Sequence, residues 1–262
     1  MSHDVRTPIN GIQGCVDIAD RYPDDLKLQQ EARTKIRTAS GYLLNLVNDV
    51  LDMNKLESGN IQLERKHFNL LEVLHNTNEI IRVQANESGV NYYVEDGEII
   101  HTQLIGSPVH FQQILMNIGS NAVKYNQDGG SVTVSCREVS YTDTTAEYEL
   151  TCTDTGIGMS EEFQKKAFEP FAQEGQSART KYAGTGLGLA IAKKLIELQG
   201  GTLFFESIQG KGTKFILRIP FEISAEEQEK KSHMYQNCSV EGVQVLLVED
   251  NELNMEIAEF LL

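Results

Sequence analysis

HFQQILMNIGSNAVKY, residues 110 to 125, carries two patterns on one helical repeat. Ile114, Leu115 and Ile118 can pack inward, which predicts a helix from about Pro108 to Tyr125. Asn117, Asn121 and Lys124, four and three residues apart, share another face. Two amide oxygens and an ammonium in a row suit a hydrated magnesium ion and the phosphates attached to it. A plain solvated helix face accounts for the same spacing equally well.

Outward from this helix the pattern alternates between helix and strand. Asn69 to Asn86 reads as a helix leading to a strand-like Val90 to Glu95. Two alternating runs follow, one with Val132, Val134 and Cys136 and one with Tyr148, Leu150 and Cys152, which look like antiparallel neighbours. A short helix near Glu161 to Phe168, a polar stretch from Gln173 to Ala183, a helix from Leu187 to Leu198 and strands around Leu203 to Glu206 and Lys214 to Pro220 complete the unit. The expected class is α+β, a mixed sheet covered on one face by helices.

The first sixty residues have a different rhythm. Val5, Ile9, Ile12, Val16 and Ala19 recur at spacings of four and three, the seam of a coiled-coil-like helix. After the turn Tyr22-Pro23-Asp24-Asp25, the positions Ala32, Ile36, Ala39, Leu43, Leu46, Val50 and Met53 repeat it, with Leu44, Val47 and Leu51 widening the stripe until Gly59. Two helices with one seam each predict an antiparallel hairpin that pairs with a second copy, a homodimer built on a four-helix bundle. The expected divisions are 1–62 for the hairpin, 68–222 for the α+β unit, 223–242 for a charged linker, and 243–262 for the opening strand and helix of a further domain.

Bulk properties narrow the function. A formal charge of −15 argues against nucleic-acid binding, and a polyphosphate ligand would need a metal and a few well-placed cations. The four cysteines are scattered and read as reduced thiols. No apolar run approaches the ~20 residues of a membrane helix, so this segment is expected to be cytoplasmic, without membrane contact, any anchor of the parent protein lying upstream.

Three further motifs bear on chemistry. SHDVRTP, residues 2–8, places His3 on a flanking helix position beside Asp4, with Thr7 one turn along and Pro8 removing a backbone hydrogen bond. A neutral imidazole there is a plausible nucleophile, although a lone exposed histidine is more often ordinary surface. DTGIGM, residues 154–159, follows a strand; Asp154 can accept a hydrogen bond from an exocyclic amine, and Gly156 and Gly158 permit close approach of a flat base. GTGLGLAI, residues 184–191, opens a helix whose amides suit phosphate oxygens, yet it matches neither a dinucleotide-binding fingerprint nor a Walker loop. Between them, Phe168-Glu169-Pro170-Phe171 and a stretch with Arg179 and Lys181 look like a lid bringing positive charge over phosphates.

In this order and at these separations, the motifs resemble those of two-component sensor histidine kinases. The resemblance covers residues 2 to about 221 and implies a phosphoacceptor hairpin followed by an α/β sandwich ATP-binding domain of the kind shared with gyrase and MutL. His3 would be the phosphoacceptor and Asp4, where most relatives have glutamate, its activating neighbour. Thr7 would position water for dephosphorylation of a partner. Asn117 and Asn121 would hold magnesium, Lys124 the phosphates, and Tyr125 would lie beside the adenine. Asp154 would bind the adenine amine. Gly156, Gly158, Phe171, Arg179, Lys181, Gly184, Thr185, Gly186, Leu187 and Gly188 would form the pocket and lid, and Thr213 would close the adenine side. The cofactors implied are ATP, with ADP as product, and Mg2+. The tail VLLVEDNELN, residues 245–254, resembles the start of a receiver domain in which Glu249 and Asp250 bind magnesium, which implies a hybrid parent; the phosphate then passes to an aspartate of that receiver or of a separate response regulator.

Two other readings compete. An ATPase of the gyrase or chaperone kind has a glutamate base four residues before the magnesium asparagine, and here Asn117 stands there, which disfavours activation of water. A non-catalytic nucleotide-binding dimerisation module gains weight from the place of His3, three residues from the start of a helix that should fray.

Overall fold

The structure, a computed structural model, describes residues 2–59, 61–174 and 185–224, with the backbone alone for residues 2–4. Of the expected linker 223–242, Ile223 still belongs to a strand and Ser224 is buried; its remainder from residue 225, the receiver-like segment 243–262, and Arg179, Lys181 and Gly184 lie outside the described residues.

Helix α1 (Ser2–Arg21) runs through Pro8 and returns as α2 (Leu26–Glu57). The turn is set by Asp25, whose carboxylate caps α2 by accepting from the Lys27 and Leu28 amides at 3.0 Å each. Gln29 donates back to the Ala19 carbonyl at 2.6 Å and so ties the helices across the bend. Of the apolar positions on α2, Leu46 is 1% exposed, whereas Leu44, Val47 and Leu51 are 61%, 44% and 51% exposed. The hairpin therefore covers one stripe and leaves the widening stripe uncovered.

The rest forms a seven-stranded sheet with helices on one face. In chain order the elements are β1 (Lys66–Asn69), α3 (Leu70–Glu87), β2 (Asn91–Glu95), β3 (Gln103–Gly106), α4 (Pro108–Lys124), β4 (Ser131–Tyr141), β5 (Thr145–Asp154), α5 (Glu161–Gln164), α6 (Gly188–Leu198), β6 (Thr202–Ile208) and β7 (Gly212–Ile223). The strand order is β1-β3-β7-β5-β4-β2, with β6 also on β7. The β2–β4 pair is parallel and the others antiparallel, so the sheet is mixed. Strand β7 holds it together: β5 pairs along most of one edge, while β6 and then β3 share the other.

Period-two alternation builds β4 and β5 as antiparallel neighbours, with Val134 opposite Cys152 and Cys136 opposite Leu150. Their inward side chains meet Ile114 and Ile118 of α4 and Ile191, Leu195 and Ile196 of α6 in one buried core. Phe68, Phe111, Tyr148 and Phe221 form an aromatic corner, with ring centroids 5.2 to 6.5 Å apart in the contacting pairs. Gly119 lets α3 approach α4, since a Cβ there would stand 2.4 Å from Ile81 Cδ1. Asn69 caps α3, and Pro108 occupies the first turn of α4.

Two short strands, β1 and β3, lie where no strand was expected from the sequence, and the helix expected over Glu161 to Phe168 ends at Gln164. No helix among the described residues is long and apolar enough to cross a membrane.

Candidate functional site

A cavity of about 850 Å³ opens between α4, the end of β5, the start of α6 and, from the hairpin, α2. Each wall has a local reason for its form. Strand β5 ends at Asp154, which is buried at 7% exposure. Its Oδ1 accepts from the Gly156 amide at 2.8 Å and the Thr213 amide at 3.2 Å; among the described residues Oδ2 accepts none. Burial pushes this carboxyl up to about 6, against the lowering effect of the two amides. A buried acceptor with one oxygen uncommitted needs a donor, and an exocyclic amine is one.

On α4, Asn117, Asn121 and Lys124 share one face, as their spacing predicts, and that face lines the cavity rather than open solvent. The Nδ2 of Asn117 is buried and has no hydrogen-bond partner among the described residues. A phosphate oxygen would satisfy it as placed, and a half-turn of the amide would present Oδ1 to a cation instead. Lys124 is half-buried, with Nζ 4.7 Å from the centre of the Tyr125 ring, and burial lowers its pKa to about 8. Burial also raises the Tyr125 hydroxyl. No cluster of three or more His, Cys, Asp or Glu suited to a metal exists among the described residues. The amide oxygens of Asn117 and Asn121 are groups that could hold a magnesium ion together with a ligand's phosphates.

At the start of α6, Thr185, Gly186 and Gly188 line the cavity. The Thr185 hydroxyl accepts from the Leu187 amide at 3.2 Å. Gly188 faces Asn117, and a Cβ there would lie 3.4 Å from Asn117 Oδ1. Thr213 closes the far side, its hydroxyl 2.9 Å from that of Ser207.

Several sequence-based assignments change. Gly156 was expected to admit a flat base, but a Cβ at that position would strike the Tyr125 carbonyl at 2.3 Å. A Cβ at Gly158, where φ is +63°, would strike the Ile208 carbonyl at 2.1 Å. Both glycines therefore serve close packing of the protein's own backbone, and of the two only Gly158 borders the cavity. Leu187 is fully buried in the core and does not line the cavity. Phe171 does not line it either; at φ +63° it turns the chain, its amide donating to the Gly186 carbonyl at 3.0 Å. His3 and Asp4 fall in the first turn of α1 with their side chains outside the described residues, and Thr7 is exposed on the same helix.

The sequence did not point to the hairpin's share of the cavity. Tyr42, Asn45, Asn48, Asp49 and Asp52 of α2 line it. Thr185 donates to Asp49 Oδ2 at 2.6 Å, and Gln113 of α4 donates to Asp52 Oδ2 at 2.7 Å. The i, i+3 and i+7 spacing of Asn45, Asn48 and Asp52 held the signal, but as a polar stripe it looked like solvated surface. Gly212 was also missed: at φ +103°, a Cβ there would stand 1.9 Å from the Asp154 carbonyl.

Two family models match this chain. The His Kinase A (phospho-acceptor) domain matches residues 1–59, and the Histidine kinase-, DNA gyrase B-, and HSP90-like ATPase matches residues 106–223. The autoinducer 2 sensor kinase/phosphatase LuxQ of Vibrio vulnificus (strain YJ016) is 33% identical over 97% of this chain, which spans 30% of LuxQ. Hybrid signal transduction histidine kinase A of Dictyostelium discoideum is 36% identical over 84% of this chain, a match spanning 10% of that protein. The crystal structure of full-length ShkA in complex with AMPPNP aligns with a TM-score of 0.62 at 27% identity, covering 85% of this chain and 45% of that one.

Proposed function

We propose, from a chain that belongs to the sensor histidine kinases by its phospho-acceptor and ATPase domains, that it binds ATP in the α4–β5–α6 cavity and moves the γ-phosphate onto His3. The observation that carries this reading is the conjunction, in one cavity, of Asp154 Oδ2 and Asn117 Nδ2, neither of which has a hydrogen-bond partner among the described residues. One is a group for a purine amine and the other for a phosphate. The working division is hairpin 1–62 and an ATP-binding domain expected over 68–222 and extended by the ends of β1 and β7 to 66–223.

Asp154 fixes the base, Tyr125 and Thr213 border it, and Lys124 with the amides at the start of α6 takes phosphate oxygens. Magnesium, when bound, offsets phosphate charge at Asn117 and Asn121. The His3 imidazole attacks the γ-phosphorus in line, the bond to the bridging oxygen breaks, and ADP leaves; Asp4 orients the ring. The phosphoramidate then passes its phosphoryl group to an aspartate of a receiver domain. Thr7 stands where water would be positioned for the reverse, phosphatase, activity. The uncovered stripe of α2 supports a homodimer. No carboxylate occupies the position of Asn117, which disfavours an ATPase, and the histidine places this chain apart from a purely binding module.

Two measurements test it. Mg-ADP should raise the unfolding temperature of the wild type and not of Asp154→Ala; no rise in the wild type removes the nucleotide reading. Labelled ATP should give acid-labile, base-stable phosphate that His3→Gln abolishes. Label persisting in that variant would overturn the assignment of His3.

A further inference from the structure

The cavity is oddly charged for a polyphosphate. Its described lining carries four carboxylates, Asp49, Asp52, Asp154 and Glu174, against Lys124 as the one described cation. Two have duties within the ATP-binding domain. Asp154 accepts from the Gly156 and Thr213 amides, and Glu174 accepts from the Ser160 amide at 2.9 Å. The other two come from α2 and, among the described residues, reach the domain by side-chain bonds to groups at the phosphate end: Asp49 to Thr185, at the start of α6, and Asp52 to Gln113, one turn before Asn117. Burial raises the Asp49 carboxyl, the Thr185 hydrogen bond offsets part of that rise, and the charge of Asp52 adds to it. Asp49 therefore sits in a place that disfavours its own charge, held by a hydroxyl that a phosphate oxygen could equally engage.

We propose that Asp49 and Asp52 form a carboxylate latch by which the hairpin occupies the phosphate end of the cavity, so that the docked hairpin and bound nucleotide oppose each other. The proposal rests on the nucleotide reading of the cavity. Its consequence is linkage: nucleotide entry weakens the hold on α2 and frees the hairpin that carries His3, and the latch lowers nucleotide affinity by the same factor. A phosphate near Thr185 meets two carboxylates, with Lys124 as the one described cation of the lining to set against them, and their repulsion is strengthened by partial burial.

The test is ADP affinity of the full chain, measured by calorimetry with magnesium and again with EDTA, for wild type, Asp49→Asn, Asp52→Asn and Asp17→Asn. Asp17 is an exposed carboxylate on α1 and serves as the control. Asp49→Asn should tighten ADP binding by about tenfold, at least as much in EDTA, where the nucleotide carries more negative charge. Asp52→Asn, which leaves Thr185 untouched, should tighten it by a smaller factor, and Asp17→Asn should match the wild type. Unchanged affinity in both α2 variants overturns the latch. A loss confined to the magnesium series also overturns it, because Asp49 would then be helping to hold the metal. Absence of ADP binding in wild type and control would instead remove the nucleotide reading on which the latch rests.

Discussion

Lys124 shows how a single side chain can report the state of the site. Its ammonium is carried at a cost, since burial brings its pKa down to about 8, and the neighbouring Tyr125 ring is the described group it approaches. A phosphate would repay that cost by favouring the charged form. Affinity for Mg-ADP should therefore fall as pH rises above about 8, and Lys124→Arg, which keeps its charge, should bind at pH 9.5 as it does at pH 7. Stability without ligand should move the other way. Between the folded pKa and the unfolded value near 10.4, the unfolded chain holds more protons, so unfolding temperature should gain from this group as pH rises through that window. Flat wild-type affinity between pH 7 and 9.5 would detach Lys124 from the phosphates. At this scale the sequence was a good guide to residue types and a poor one to their tasks: the spacing of Asn117, Asn121 and Lys124 could be read directly. The packing duties of Gly156, Gly158 and Leu187 depend on carbonyls and side chains contributed by distant elements.

Among the elements, the sheet's far face carries an ion cluster that no local pattern announces. Glu149 of β5 is directly opposite Arg137 of β4 and Arg218 of β7 in the strand registers. Nearly buried, it accepts from both guanidinium groups, including Arg137 Nε at 3.0 Å and Arg218 Nε at 2.9 Å. These hydrogen bonds, from Arg137 first and Arg218 next, hold its carboxyl below the usual range despite burial. Because its folded pKa is depressed, the stabilisation is present above the unfolded value near 4.3 and fades as pH falls through the folded one. Glu149→Gln should cost about 1–2 kcal/mol at pH 7, a modest figure because both arginines remain half exposed, and the gap should close below about pH 4. An equal gap at pH 3 and pH 7 would mean that shape, not charge, is lost. The sequence yields β4 and β5 through alternation and α4 and α6 through helical period, but β1 and β3 have four residues each. A run that short carries too little periodicity to announce itself, and its pairing spans more than thirty residues of chain. Likewise the parallel β2–β4 pairing depends on a crossover, not on anything local.

For the whole molecule, α2 divides its circumference among three tasks. Leu46, Val50 and Met53 face the protein's interior, Asn45, Asp49 and Asp52 face the cavity, and Leu44, Val47 and Leu51 lie on the side away from it. On α1, Ile9, Val16 and Ile18 are also exposed. Exposed apolar residues scattered singly need no explanation, but a repeat of three and four along a two-helix hairpin is a seam without its partner. On the proposed homodimer, a second copy would supply the same stripe by two-fold symmetry and close a four-helix bundle. In an isologous contact each substitution enters twice, so Leu51→Glu should raise the dimer dissociation constant by about a hundredfold or more. Sedimentation should then show the variant as a monomer where the wild type is a dimer. The Mg-ADP thermal shift should survive, because Leu51 lies outside the cavity lining. A wild type that sediments as a monomer at the concentrations used for phosphotransfer would leave the stripe without this partner. A Leu51→Glu dimer would move the interface elsewhere. If both proteins behave as expected, labelled phosphate in the Leu51→Glu monomer would mean that each ATP-binding domain serves its own His3, and its loss on dilution would mean that it serves the partner's.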